Sequence, residues 1–157
     1  MKAAVEWKGG LSFTGVGPSD IPVLIDSSPS PDGKSNGLRP TELVLLGLAS
    51  CMAMDVISIL EKKRQDVRSY QVHVDAPRAA DFPQVFTSGL ITLLVSGSRV
   101  EEVALKRAIE LSVTKYCAVY AMMEKAFPIT VRYEIYEQDG DDTQLRCQGT
   151  WHTVAEE

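Results

Sequence analysis

Residues 41–60 constrain this chain more than any other stretch. They read Thr41-Glu42-Leu43-Val44-Leu45-Leu46-Gly47-Leu48-Ala49-Ser50-Cys51-Met52-Ala53-Met54-Asp55-Val56, then Ile57-Ser58-Ile59-Leu60. From Leu43 onward the segment is apolar or small almost throughout, broken by Asp55 and Ser58. The uninterrupted part before Asp55 is too short to span a bilayer. A helix apolar nearly all round belongs in a protein core. Pro40 suits a first helical turn, Glu42 suits the positive end of the dipole, and Lys62, Lys63 and Arg64 suit the negative end. The reading is therefore a buried helix from Pro40 to about Arg64. A few short strands cannot cover such a helix, so a matching helix from a second copy is expected against it.

The flanking segments read as strands. Ala3, Val5 and Trp7 alternate with polar or small neighbours, and Gly9-Gly10 marks a hairpin into Leu11 and Phe13. A third short strand is expected over 21–25, followed by a long polar loop over 26–37. Tyr70, Val72 and Val74 alternate, with residues 86–95 as the antiparallel partner. Val103, Leu105, Ala108, Ile109, Ser112 and Val113 predict a second helix over about 100–114. A third runs from Ala118 to Lys125 beyond a kink near Tyr116-Cys117. Ile129, Val131, Tyr133 and Ile135 alternate as a last strand. Residues 138–157 read as a polar tail, so the expected organisation is one domain over 1–137 plus that tail. Strands and helices come in runs, which makes the class α+β.

Composition narrows the partners. The chain of 157 residues has 45% apolar and 24% charged residues, ordinary globular values. A net charge of -5 argues against a nucleic-acid surface. Residues 1–7 lack the apolar h-region of a secretion signal, and the three cysteines are an odd number. A reducing, cytoplasmic setting with free thiols, and no membrane partner, is expected. His73 and His152 have no Cys or carboxylate at ligand spacing, so neither a metal site nor a cofactor is expected. Met52, Met54, Met122 and Met123 read as core packing.

Cys51 sits within the long helix and Cys117 at the kink after the second. Each is either an inert core thiol or half of a reactive pair, in which one thiolate attacks an oxidant and the other resolves the sulfenic acid. Cys147 reads as a spare thiol in the tail. A reactive thiolate needs a cation, and Lys34 and Arg39 are the candidates nearest the N-terminal strands, although both also read as solvated loop charges. Glu42 is nine residues before Cys51, about 13 Å along a straight helix and on the opposite face. It can act on Cys51 only from a second subunit; otherwise it is a carboxylate favoured by the helix dipole.

Pro40-Thr41-Glu42-Leu43, Gly47-Leu48-Ala49-Ser50-Cys51 and Tyr116-Cys117 together resemble the OsmC/Ohr family, osmotically inducible protein C and the organic hydroperoxide resistance proteins. Asp55-Val56-Ile57-Ser58-Ile59-Leu60 and Phe86-Thr87 are similar to a bacterial OsmC-like subgroup rather than to the peroxidases themselves. The likeness covers about residues 1–137. It implies antiparallel sheets around two long central helices in an intertwined homodimer. It also implies a thiol peroxidase acting on organic hydroperoxides or hydrogen peroxide, with a dithiol as reductant. Cys51 would be the peroxidatic and Cys117 the resolving cysteine, with Glu42 and Arg39 as the supporting glutamate and arginine. The chain departs from the family pattern in two places. Thr41 stands where the peroxidases carry the glutamate, with Glu42 one step later, and the N-terminal strands contain no arginine. A non-catalytic dimer binding a small apolar ligand, or a redox sensor, is the competing expectation.

Overall fold

The computed structural model describes residues 1–27, 35–139 and 142–151. Much of the expected 26–37 loop, Lys34 included, and His152 lie outside the described residues. The chain forms two compact units, Met1–Leu46 and Gly47–Glu157.

The first unit holds a three-stranded antiparallel sheet of β1 (Ala4–Gly9), β2 (Ser12–Val16) and β3 (Val23–Asp26), in the order β1-β2-β3. Gly9 and Gly10 make the hairpin turn with φ of 111° and 54°, a left-handed backbone that glycine adopts without a Cβ penalty. The sheet leaves Val5, Trp7, Leu11, Ile21 and Leu24 largely exposed.

Helix α1 (Pro40–Lys62) opens on Pro40 as expected and ends two residues before Arg64, which turns left-handed at φ 56°. Its side chains at Leu48, Met52, Val56 and Leu60 recur every fourth residue and are fully buried. They pack with one face of the second unit's sheet, made of β4 (Asp66–Asp75), β5 (Gly89–Ser98), β6 (Ile129–Asp139) and β7 (Asp142–Trp151) in that order. Ile91, Leu93 and Val95 of β5 and Val131, Tyr133 and Ile135 of β6 point into this core. Helix α2 (Glu102–Leu111) adds Ala104, Leu105, Ala108 and Ile109. It continues into a π-helical turn, Ser112–Tyr116, and α3 (Ala118–Met123) follows.

Three expectations are corrected. The second sheet is not wholly antiparallel: β6 runs parallel to β5, because the helical connection between them carries the chain back along the sheet before β6 begins. Residues 142–151 are not a tail but strand β7, paired antiparallel with β6. Met54 and Met122 are surface residues, 66% and 64% exposed, whereas Met52 is core.

Candidate active site

The second unit brings two of the sequence-derived residues together. Cys51 lies midway along α1, and Asp55 follows one helical turn later on the same face. Cys117 sits where the chain breaks out of helix, with φ -76° and ψ 95°, between the π-helical turn and α3. This break directs Cys117 back to α1. The two sulfurs and a carboxylate oxygen of Asp55 all lie within 4.8 Å of one another.

Asp55 and Cys117 are each held from a second direction. The Ser112 hydroxyl, fully buried, donates to Asp55 Oδ2 at 3.0 Å. The Tyr120 amide donates to Cys117 Sγ at 3.3 Å, so this thiol also caps α3. Cys117 is 2% exposed while Cys51 is half-buried. Burial pushes the Cys117 thiol up to about 12, with the Cys51 hydrogen bond and the Asp55 charge adding to it and the Tyr120 amide opposing it. Tyr70 is also raised, first by burial and then by Asp55. Its hydroxyl is a buried polar atom with no hydrogen-bond partner among the described residues.

A cleft of about 440 Å³ opens beside this cluster, walled by Asp55, Ile59 and Lys62 of α1 and by Leu111 and Tyr116. Asp55 is the residue that sequence reasoning missed as a site member. Its signal was available: a single carboxylate inside an apolar helix, one turn after a cysteine. Cys147 lies on β7, half-buried at the edge of the core.

Arg39 and Glu42 lie at the start of α1 in the first unit, both exposed. Glu42 Oε2 accepts the Arg39 backbone N–H at 2.9 Å. This is the reciprocal half of a capping box, in which a third-position carboxylate satisfies the amide of the residue before the helix.

The raised Cys117 thiol has a measurable consequence. A free cysteine ionises near 8.5, so with the Cys117 thiol pushed up to about 12 its thiolate fraction at neutral pH should be lower by roughly three thousandfold. Its iodoacetamide rate, followed by mass spectrometry, should keep climbing with pH where a free thiol levels off. Because the folded value is raised, the associated stability is present below the unfolded pKa and is lost as pH climbs towards 12. Asp55→Asn should lower the Cys117 pKa and speed its alkylation. A Cys117 rate that levels off near pH 9 would contradict this.

The model of the OsmC-like protein family matches residues 32–132. The chain belongs to the OsmC-like family. Protein YhfA of Escherichia coli K12 is 38% identical over 135 residues, covering 86% of this chain and 98% of YhfA. A hypothetical protein from Aquifex aeolicus is 27% identical, with a TM-score of 0.77 over 88% of this chain and 97% of its own. The organic hydroperoxide resistance protein OhrB of Bacillus subtilis shares the fold at a TM-score of 0.57 and 12% identity, over 85% of this chain and 98% of OhrB.

Proposed function

We propose that this OsmC-like protein is a cytoplasmic, homodimeric thiol peroxidase that reduces organic hydroperoxides or hydrogen peroxide in defence against oxidative stress. One observation carries the reading: the Cys51 and Cys117 sulfurs lie within 4.8 Å of each other. A disulfide requires those sulfurs to close to about 2.05 Å. Cys51, the more accessible thiol, attacks the peroxide and becomes a sulfenic acid, releasing the alcohol. Cys117 attacks that sulfenic sulfur, forming the disulfide and releasing water. An external dithiol then reduces the disulfide and leaves as its own disulfide. Cys117 keeps its proton until the sulfenic acid forms, which suits a resolving rather than an attacking thiol. Arg39 and Glu42 of the partner subunit would supply the cation and the carboxylate that hold the Cys51 thiolate. The cleft beside Asp55 would take the apolar part of the hydroperoxide.

The test is consumption of cumene hydroperoxide by reduced protein with a dithiol, alongside peptide mapping of the oxidised form. Turnover with a Cys51–Cys117 bridge is expected. Cys51 reacting no faster than free cysteine, or bridging to Cys147, would overturn the reading.

A second reading has its own support. A carboxylate beside both thiols disfavours a thiolate, so Asp55 acts against fast peroxide attack. On that reading the dimer is a redox sensor or binds a small apolar ligand. It predicts a slow bridge without turnover.

A further inference from the structure

The cluster of Cys51, Asp55 and Cys117 is also a set of cation donors. Two thiols and one carboxylate, whose protons can leave and whose charges otherwise repel, converge within 4.8 Å. Around tetrahedral zinc, with Zn–S near 2.3 Å and Zn–O near 2.0–2.2 Å, neighbouring donor atoms sit roughly 3.5–3.8 Å apart. Reaching that spacing takes movements of only about 1 Å, within the reach of thiol and carboxylate rotation. Cys51 and Asp55 share one face of α1, a rigid element, and Cys117 Sγ accepts a hydrogen bond from the Tyr120 backbone N–H. The Ser112 hydroxyl anchors the carboxylate, the kind of outer hydrogen bond that orients metal ligands. The Tyr70 hydroxyl, buried with no hydrogen-bond partner among the described residues and raised in part by the Asp55 charge, marks a polar demand beside the cluster.

We infer that the reduced site binds one soft divalent cation, of which zinc is the type, through Cys51 Sγ, Cys117 Sγ and the Asp55 carboxylate, with a fourth position left for water. Two thiolates select such an ion over magnesium or calcium, which prefer oxygen donors. The step is not a redox reaction: the ion enters, and the two thiol protons leave to solvent. With the cation bound, the Asp55 charge becomes attractive. Bound thiolates cannot form a disulfide, so ion occupancy and bridge formation exclude each other. The inference stands on the side-chain cluster and holds whether or not the protein turns over peroxide.

Cobalt(II) titration of the reduced protein, under argon and without peroxide, tests it. One equivalent per chain should give a near-ultraviolet sulfur-to-cobalt band with the intense visible bands of a tetrahedral site, and zinc should displace them. Cys51→Ser and Asp55→Asn should lose the tetrahedral spectrum, whereas Cys147→Ser should keep it. Ser112→Ala should weaken binding by about 10- to 100-fold. In the unmodified protein, zinc should block alkylation of Cys51 and leave that of Cys147 unchanged, a readout independent of how well any variant folds. Absence of a thiolate band, its survival in Asp55→Asn, its loss in Cys147→Ser, or equal protection of Cys51 and Cys147 would each overturn the inference.

Discussion

Cys51→Ser should lose all peroxide-dependent turnover and all disulfide formation, while Cys117→Ser should lose turnover but still react once. The asymmetry follows from the two environments. Cys51 is half-buried on α1, and Cys117 is closed off at 2% exposure with its thiol held protonated. Peroxide attack needs an accessible sulfur that can ionise, because the thiolate is the nucleophile. Resolution needs only a thiol next to the sulfenic sulfur. In Cys117→Ser the Cys51 sulfenic acid has no neighbour to attack it, so dimedone should trap one adduct per chain. In Cys51→Ser no adduct should form on Cys117 at neutral pH. Cys147→Ser should behave as the unmodified protein. Dimedone labelling of Cys117 in the Cys51→Ser protein would reverse the assigned roles, and full turnover in either single variant would reject the pair.

What could be read from the chain, and what could not, divides along physical lines. Helix α1 was legible because proline, glutamate and the terminal lysines mark its ends while its interior is apolar. The Gly9-Gly10 hairpin was legible because two left-handed residues in succession call for glycine. The break at Cys117 was legible as an interruption of helical spacing, and it turns that thiol towards Cys51 of α1. Strand β7 was not legible. Its polar residues alternate with few apolar ones, and Leu145 is itself 49% exposed. What holds the strand is its pairing with β6, the partial burial of Cys147 and Trp151, and Arg146, which donates to the Val100 carbonyl and pairs with Glu137 at 3.4 Å. None of these contacts leaves a local pattern. The parallel β5–β6 pairing was hidden for the same reason, since direction is decided by the path of the intervening helices. Asp55 was seen only as a polar break in an apolar helix. Its role depends on Cys117 and Ser112, which are distant in sequence and adjacent in the fold.

Met54→Arg should convert the protein from a dimer to a monomer of 17.2 kDa. Helix α1 is long and apolar enough to cross a membrane by length and composition, yet only 22% of its most apolar stretch is buried within the chain. The stripe Leu48, Met52, Val56 and Leu60 faces the core, while Val44, Leu46 and Met54 are 41%, 51% and 66% exposed. So much exposed apolar surface on one helix calls for a cover. Val5, Trp7, Ile21 and Leu24 of the first unit make the same demand. A second copy would supply such a cover, because a twofold interface repeats a patch on its partner. An arginine at Met54 would have to bury an unpaired guanidinium at that interface, at a cost of several kcal/mol per charge. Light scattering at micromolar concentration should therefore give twice the chain mass for the unmodified protein and the single mass for Met54→Arg, with circular dichroism unchanged if each chain keeps its own core. Peroxide turnover should fall with the dimer, since Arg39 and Glu42 are assigned to the partner subunit's site. An unmodified protein that runs as a monomer, or that floats with phospholipid vesicles, would mean that something other than a second copy covers α1. Met54→Arg that stays dimeric would place the interface on another face of the helix.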